Sequence, residues 1–283
     1  MITTQHNGDT ITVLLAARSI NPLSRLFQRE LGDLLDQLES RHPHLGAIQI
    51  GFDANAADPS HELEHLMALT PAQAADCMHM LASYNALLCR LEGMGVPVSA
   101  TLGGDVCGHA LGLALACHRR IALADAHLSL PQVLMGLAPV AGEIARTVRL
   151  TGVQAAMPLL LDGARLNATQ ALQAGLVHKV VGDESELADA LGDTGAAAVQ
   201  PWETKNHQLP GGGLDAPAVR ALLQTAPAML RQRAGGTVPA AEAVLCAMVE
   251  GLRVDFANAL RIESRYFCQT AINQAHRKGG FSL

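Results

Sequence analysis

Apolar and polar positions alternate at the start of the chain in two β-branched runs, 2–5 and 10–16, separated by His6-Asn7-Gly8-Asp9. Asn-Gly between such runs supplies the positive φ of a tight turn, so a hairpin is predicted. The period then lengthens. Leu26, Phe27, Leu31, Leu34, Leu35 and Leu38 recur at helical spacing behind Ser24, a capping residue, and Pro43 follows the helix end at Arg41 or His42. Residues 45–51 make a short apolar run, as a parallel strand buried on both faces requires. A long helical pattern over 71–94 carries Cys77, Met80, Leu81, Tyr84, Leu87, Leu88 and Leu91 on its buried side. Strands alternating with helices imply a parallel sheet with right-handed crossovers.

The stretch 97–149, PVSATLGGDVCGHALGLALACHRRIALADAHLSLPQVLMGLAPVAGEIARTVR, organises the rest. A short apolar strand passes through Gly103, Gly104 and Gly108 into an Ala/Leu-rich run, 110–117, that reads as a buried helix. A strand over 120–124 turns at Asp125-Ala126, and 128–130 resumes extended chain before Pro131. Short helices over 152–161 and 168–174, a last strand over 177–181 and a helix over 185–191 follow. Residues 196–213 are rich in Pro and Gly around a lone Trp202, a linker composition. Two helices remain, 217–233 and 239–274. The second is striped by Val249, Leu252, Phe256, Leu260 and Phe267, a face for packing on a core or a subunit. The organisation read from this is a core over 1–195, a linker over 196–216 and a C-terminal helical region over 217–283 for packing or oligomerisation.

Composition narrows the class. The 283 residues are 49% apolar but only 3% aromatic, so the core must be built from Ala, Leu, Val and Met, which favours packed helices over an all-β sandwich. A net charge of −6 with no basic block argues against a nucleic-acid surface. Cys77, Cys89, Cys107, Cys117, Cys246 and Cys268 never form C-x-x-C and read as small buried hydrophobes in a reducing compartment. The N-terminus has no basic-then-apolar signal pattern, and no apolar run reaches the roughly 18 residues of a membrane span, so a cytoplasmic protein is expected.

Glycines between a strand and a helix let a ligand approach backbone N–H groups where the helix dipole favours negative charge, although such glycines serve turn geometry more often than chemistry. A dinucleotide fingerprint is excluded, because Gly104-x-x-x-Gly108-x-x-x-Gly112 lacks its close pair, and no Lys-Ser or Lys-Thr follows to make a P-loop. His61-Glu62-Leu63-Glu64-His65 fits H-E-x-x-H, a zinc pattern. No third ligand follows at the usual distance, and Ser60 with Glu62 and Glu64 reads instead as a capped acidic helix start. No metal is expected.

From PVSATLGG through ALGLALACHRRIALADAHLSLPQVLMGLAP to TGVQAAMPLLLDGARLNATQALQAGLVHKVV, the middle of the chain resembles the crotonase, or enoyl-CoA hydratase/isomerase, superfamily. INPLSRLFQRELGDLLDQLE is similar to that family's first strand-to-helix passage. AVQPWETKNHQLPGG and DFANALRIESRYF resemble the hydratase part of multifunctional fatty-acid-oxidation α subunits. The chain ends at Phe281-Ser282-Leu283, about where their dehydrogenase would begin, so a free-standing version of the hydratase module is expected. The resemblance implies an α/β crotonase-like fold, a ββα-repeat spiral core with a C-terminal helical region. It also implies an acyl-CoA thioester as substrate or ligand with no further cofactor, and a homotrimer or a hexamer built as a dimer of trimers.

The same resemblance implies a thioester carbonyl held by two backbone N–H groups, so that an enolate or tetrahedral oxyanion is stabilised where it forms. Matching the family's patterns puts one donor at Ala56, in FDANAADP, and the other at His109, beside Gly108. Asn55-Ala56 stands where the family has Gly-Ala, and Asp58 comes one place late. Arg18 is the candidate for the CoA phosphates. Two glutamates perform hydration in this family, and the matching positions here are Gly112 and Gln132, neither of which takes a proton at neutral pH. Weak or absent hydratase activity follows. Gln132 can still orient a water or a carbonyl. Glu143, where the family pattern has a glycine, is a possible substitute acid, and Asp105 is read as solvated. Three readings stay open: an acyl-CoA lyase or isomerase, a non-catalytic acyl-CoA-binding or scaffold homologue, and a zinc hydrolase through His61, Glu62 and His65.

Overall fold

The predicted hairpin is β1 (Ile2–Asn7) and β2 (Thr10–Leu15), antiparallel, with Asn7 opposite Thr10 and Gly8 at φ 64° in the turn. In the computed structural model, residues 2–41, 44–53, 69–192, 198–234 and 238–279 are described. α1 (Arg25–Ser40) starts at Ser24, whose hydroxyl accepts from the Phe27 N–H at 3.2 Å. It buries Phe27, Leu31, Leu34, Leu35 and Leu38, whereas Leu26, one step round the helix from Phe27, lies 48% exposed.

β3 (Ala47–Phe52), β4 (Val98–Leu102), β6 (Arg119–Leu123) and β9 (Lys179–Val181) continue from β2 in parallel, in the order β1-β2-β3-β4-β6-β9. Ile48, Ile50, Val98, Ala100, Leu102 and Ile121 are all buried, which is why these strands read as continuous apolar runs. A second sheet orders β5 (Asp105–Cys107), β7 (His127–Ser129) and β8 (Leu166–Asn167), with β5 parallel to β7 and β8 antiparallel to it. β5 lies inside what the sequence presents as a glycine turn. Three residues carry too short a pattern to be recognised, and only pairing with β7 makes them a strand.

The helices are α2 (Ala74–Glu92), α3 (His109–Leu115), α4 (Glu143–Leu161), α5 (Ala168–Gln173), α6 (Glu184–Gly192), α7 (Pro217–Ala234), α8 (Pro239–Gly251) and α9 (Phe256–Gly279). Cys77, Leu81, Tyr84, Leu88 and Leu91 are buried on α2 as the pattern predicts. One boundary agrees with expectation and one differs. The helical stretch that begins at Glu143 is separated from the one expected over 152–161 by a kink at Gly152, which takes φ 78° and ψ 168°. The carbonyl of Pro210 occupies the place a side chain would take there. The single helix expected over 239–274 divides between Gly251 and Phe256, because the Asp255 carboxylate accepts from the Asn258 N–H at 2.8 Å and caps a new start.

The chain groups into two compact units. Unit 1 takes Met1–Asp58, Ser83–Ser129 and Arg165–His207 and holds both sheets; unit 2 takes Pro59–Ala82, Leu130–Ala164 and Gln208–Leu283, and its described residues are mainly helical. The passage from His207 to Gln208 falls within the Pro/Gly-rich stretch 196–216. No described helix is long and apolar enough to cross a membrane. Cys77, Cys117 and Cys268 are buried, but Cys89 and Cys246 are exposed, contrary to the reading of the cysteines as buried hydrophobes. Both lie on the outward side of amphipathic helices, where the apolar spacing does not reach.

Candidate active site

In unit 1 the chain leaves β4 through Gly103 and Gly104, forms β5, and enters α3 through Gly108. Gly108 has φ 55° and ψ −130°, a backbone state that side chains oppose, and its N–H donates to the Ser129 carbonyl at 3.0 Å. Gly104, at φ 58°, accepts from the His127 N–H at 2.7 Å. One strand of the small sheet, β7, thus fixes both ends of the segment that delivers His109. His109 is the first residue of α3 and is buried, and Gly112 is buried one turn on, its N–H donating to the Gly108 carbonyl at 2.9 Å.

A second loop approaches the same helix. After β3, the Asp53 N–H donates to Leu15 at 3.0 Å, and the Asp53 carboxylate accepts from the Ala17 N–H at 3.0 Å. Ala17–Ser19 is a turn of 3₁₀ helix that packs beside α3 and carries Arg18 in an exposed position. The start of the FDANAADP loop, the Arg18 turn and the helix of His109 are therefore tied together within one unit. Ala56 lies outside the described residues, as do His61, Glu62 and His65. Asp105 is half exposed and forms an ion pair with Arg165, Nε to Oδ1 at 2.9 Å. Beyond α3, the buried Arg120 guanidinium donates to the carbonyls of Leu176 and Cys117, and burial pulls its pKa down to about 10. The Arg120 N–H donates to His178 Nδ1 at 3.2 Å.

In unit 2, Gln132 sits on the 3₁₀ turn Pro131–Met135 and Glu143 opens α4 behind Gly142, which takes φ 85°. Both are buried, at 2% and 0% exposure. The Gln132 Nε2 donates to Glu143 Oε2 at 2.7 Å, and the same oxygen accepts from the Val140 N–H at 3.0 Å. Because the carboxylate accepts, the amide must present its nitrogen. Gln132 Oε1 therefore points elsewhere, and it is buried with no hydrogen-bond partner among the described residues.

Glu263, on α9, is another buried acid. Its carboxylate accepts from the N–H groups of Gly142 at 2.9 Å and Ala145 at 3.0 Å. Burial raises its pKa to about 8; the Ala145 N–H draws it down, the charge of Glu143 adds to the rise, and Arg146 opposes it. Arg146 and Arg149 complete the cluster, both buried, each with its guanidinium 5.2 Å from the centre of the Phe256 ring. Sequence reasoning missed Glu263. The signal was present: Phe256, Leu260, Glu263 and Phe267 share one helical face, and an acid on an apolar stripe needs partners. Among the described residues no group of three or more His, Cys, Asp or Glu could hold a metal.

Strand, glycine turn, buried helix and strand within a largely parallel sheet, followed by helices, make an α/β chain. A family model for enoyl-CoA hydratase/isomerase matches residues 7–199, so the chain belongs to that family. A fatty acid oxidation complex subunit alpha from Idiomarina loihiensis is 30% identical over 277 residues, covering 93% of this chain. The chain spans 37% of that relative's length. Among solved structures, an enoyl-CoA hydratase from Bacillus halodurans matches with a TM-score of 0.60 at 18% identity, over 98% of this chain and 99% of that one. One from Bacillus anthracis matches with a TM-score of 0.54 at 22% identity, over 99% and 93%. These two likenesses concern the fold.

Proposed function

We propose that the chain binds an acyl-CoA thioester, holding the carbonyl oxygen between the backbone N–H groups of Ala56 and His109, and that it does not hydrate enoyl-CoA by the family's paired glutamates. The observation that carries this reading is the junction of β5 and α3. Gly108 is held by Ser129 in a conformation suited to glycine, so the turn is built while Gly112, one turn on, offers no acid. Family membership makes the acyl-CoA ester the reasonable ligand class. The chemistry left to such a site is stabilisation of an enolate or tetrahedral oxyanion, which serves a lyase or an isomerase. Arg18 is the proposed contact for the CoA phosphates. By family likeness we further propose a homotrimer or hexamer in the cytoplasm, with no cofactor beyond the thioester.

Binding without turnover is the second reading, and the state of Glu143 favours it. Its Oε2 already accepts two hydrogen bonds, from Gln132 and from Val140, so the possible substitute acid is engaged inside the protein.

Acetoacetyl-CoA tests the oxyanion reading without a catalytic glutamate, because its acidic methylene ionises to solvent, its enolate absorbs distinctly, and a site that stabilises the oxyanion raises the enolate fraction above that in free solution. Wild type is expected to bind it and deepen the enolate band. His109→Pro removes one N–H at the first position of α3, where proline is tolerated. It should abolish the band while the protein stays folded. Binding with no enolate band, or a band unchanged in the variant, overturns the assignment.

A further inference from the structure

Cys77 on α2 and Cys268 on α9 bring their sulfur atoms to 3.2 Å, although 191 residues separate them. Both are buried, at 3% and 5% exposure, and both lie in unit 2. The two thiols are hydrogen-bonded to each other. Through that bond Cys77 is driven well above the usual thiol range, with burial adding to the rise, while Cys268 is drawn down.

Among the described residues, a groove reaches Cys268. The start of α2 and the length of α9 wall a groove of about 750 Å³, and Cys268 is part of its lining with Met78, Arg261 and Arg265. Arg265 is shared with Glu250, at 2.7 Å. Cys268 is thus the sulfur of the pair that lines the groove, and the groove is wide enough to admit a small oxidant.

We propose that Cys77 and Cys268 form a site of reversible oxidation, at which hydrogen peroxide converts the pair into a disulfide joining α2 to α9. The Cys268 thiolate attacks one peroxide oxygen, the O–O bond breaks, and the departing oxygen leaves as water after taking a proton. Cys268 is then a sulfenic acid. The Cys77 sulfur attacks it, the S–O bond breaks, and a second water carries away the hydroxyl with the Cys77 proton. Two thiols have lost two electrons and the peroxide has gained them. The sulfurs need to close by only about 1 Å, within the reach of side-chain rotation.

The consequence lies in what else α9 holds. Glu263 accepts from the Gly142 N–H, the Thr270 hydroxyl accepts from the Ala138 N–H at 3.0 Å, and the Gln274 amide donates to the Met135 carbonyl at 2.8 Å. These three bonds fix the backbone between Gln132 and Glu143. A covalent link at Cys268 anchors the helix that makes them, so oxidation tightens this segment. The inference is independent of the ligand proposed above.

The test uses the full chain with Cys89→Ser, since Cys89 is exposed and shares a tryptic peptide with Cys77. Reduced protein is treated with hydrogen peroxide, blocked with iodoacetamide and digested. The expected product is peptide 42–90 joined to peptide 266–277 with the loss of two hydrogens, released by dithiothreitol. Amide exchange of 135–145 is expected to slow on oxidation and to recover on reduction. Alkylated Cys77 and Cys268 beside an oxidised Cys246 would overturn the site, and so would sulfinic acid at Cys268 without the joined peptide. Unchanged exchange in the joined protein would overturn the tightening.

Discussion

Gln132 donates its amide N–H to Glu143 Oε2 at 2.7 Å, and neither side chain reaches solvent. The amide is already turned toward a carboxylate. The pair is a unit and should behave as one. Glu143→Gln leaves two amides facing each other, and Gln132→Ala leaves a carboxylate with one donor fewer, each costing about 1–3 kcal/mol. Denaturant unfolding of both single variants and the double variant checks this. The double variant should lose clearly less than the sum, and simple additivity would mean that the two do not interact.

A second prediction concerns pH. The carboxyl of Glu263 has a folded pKa of about 8 against 4.5 ordinarily, so folding favours its protonated form. That stability is complete below about 4.5 and is lost as pH rises through about 8. The slope is up to about 1.4 kcal/mol per pH unit, one proton's worth. Stability measured by urea between those limits should fall with pH, and Glu263→Gln should flatten the slope. A wild-type slope that survives in the variant would assign it to another group.

His178 works in the opposite direction. Burial, then the charges of Arg120 and Arg119, hold it down to about 4, while its Nδ1 accepts from the Arg120 N–H. Folding therefore favours the neutral ring, and the stability it brings is present above 6.5 and lost as pH falls through about 4. Two-dimensional NMR of the imidazole should show a ring still neutral at pH 5.5, and an ordinary histidine titration would contradict the packing.

Gly152→Ala should destabilise unit 2 by about 1–3 kcal/mol or more, because the backbone is at φ 78° and the Pro210 carbonyl fills the side-chain position. Thermal unfolding is the measurement. A neutral substitution would mean that the 143–161 helix is not broken there.

What was legible in the sequence was local. The 2–15 hairpin announces itself through Asn7-Gly8, the first helix through Ser24 and its leucines, and the glycine turn through Gly103, Gly104 and Gly108, because each depends on neighbours in the chain. The buried acids were not legible as a cluster. Glu143 and Glu263 meet the same helix start from 120 positions apart, and the contact of Cys77 with Cys268 spans more still. Spacing says nothing about such pairs. β5 was hidden for the same reason, since its identity comes from its partner β7 rather than from Asp105-Val106-Cys107. The expected departures at Gly112 and Gln132 rest on the resemblance alone, while the hydrogen bond that turns Gln132 toward Glu143 needed the fold.

The most direct measurement mixes the purified protein with crotonyl-CoA and follows binding and hydration in one sample, beside the Gly112→Glu/Gln132→Glu variant. The account predicts saturable binding by both, with hydration by wild type slower than by the variant by about 10²–10⁴-fold, the usual worth of general acid–base catalysis. Brisk hydration by wild type would contradict the claim that the chain works without the glutamate pair. Failure of wild type to bind crotonyl-CoA or a longer enoyl-CoA would contradict the acyl-CoA reading itself.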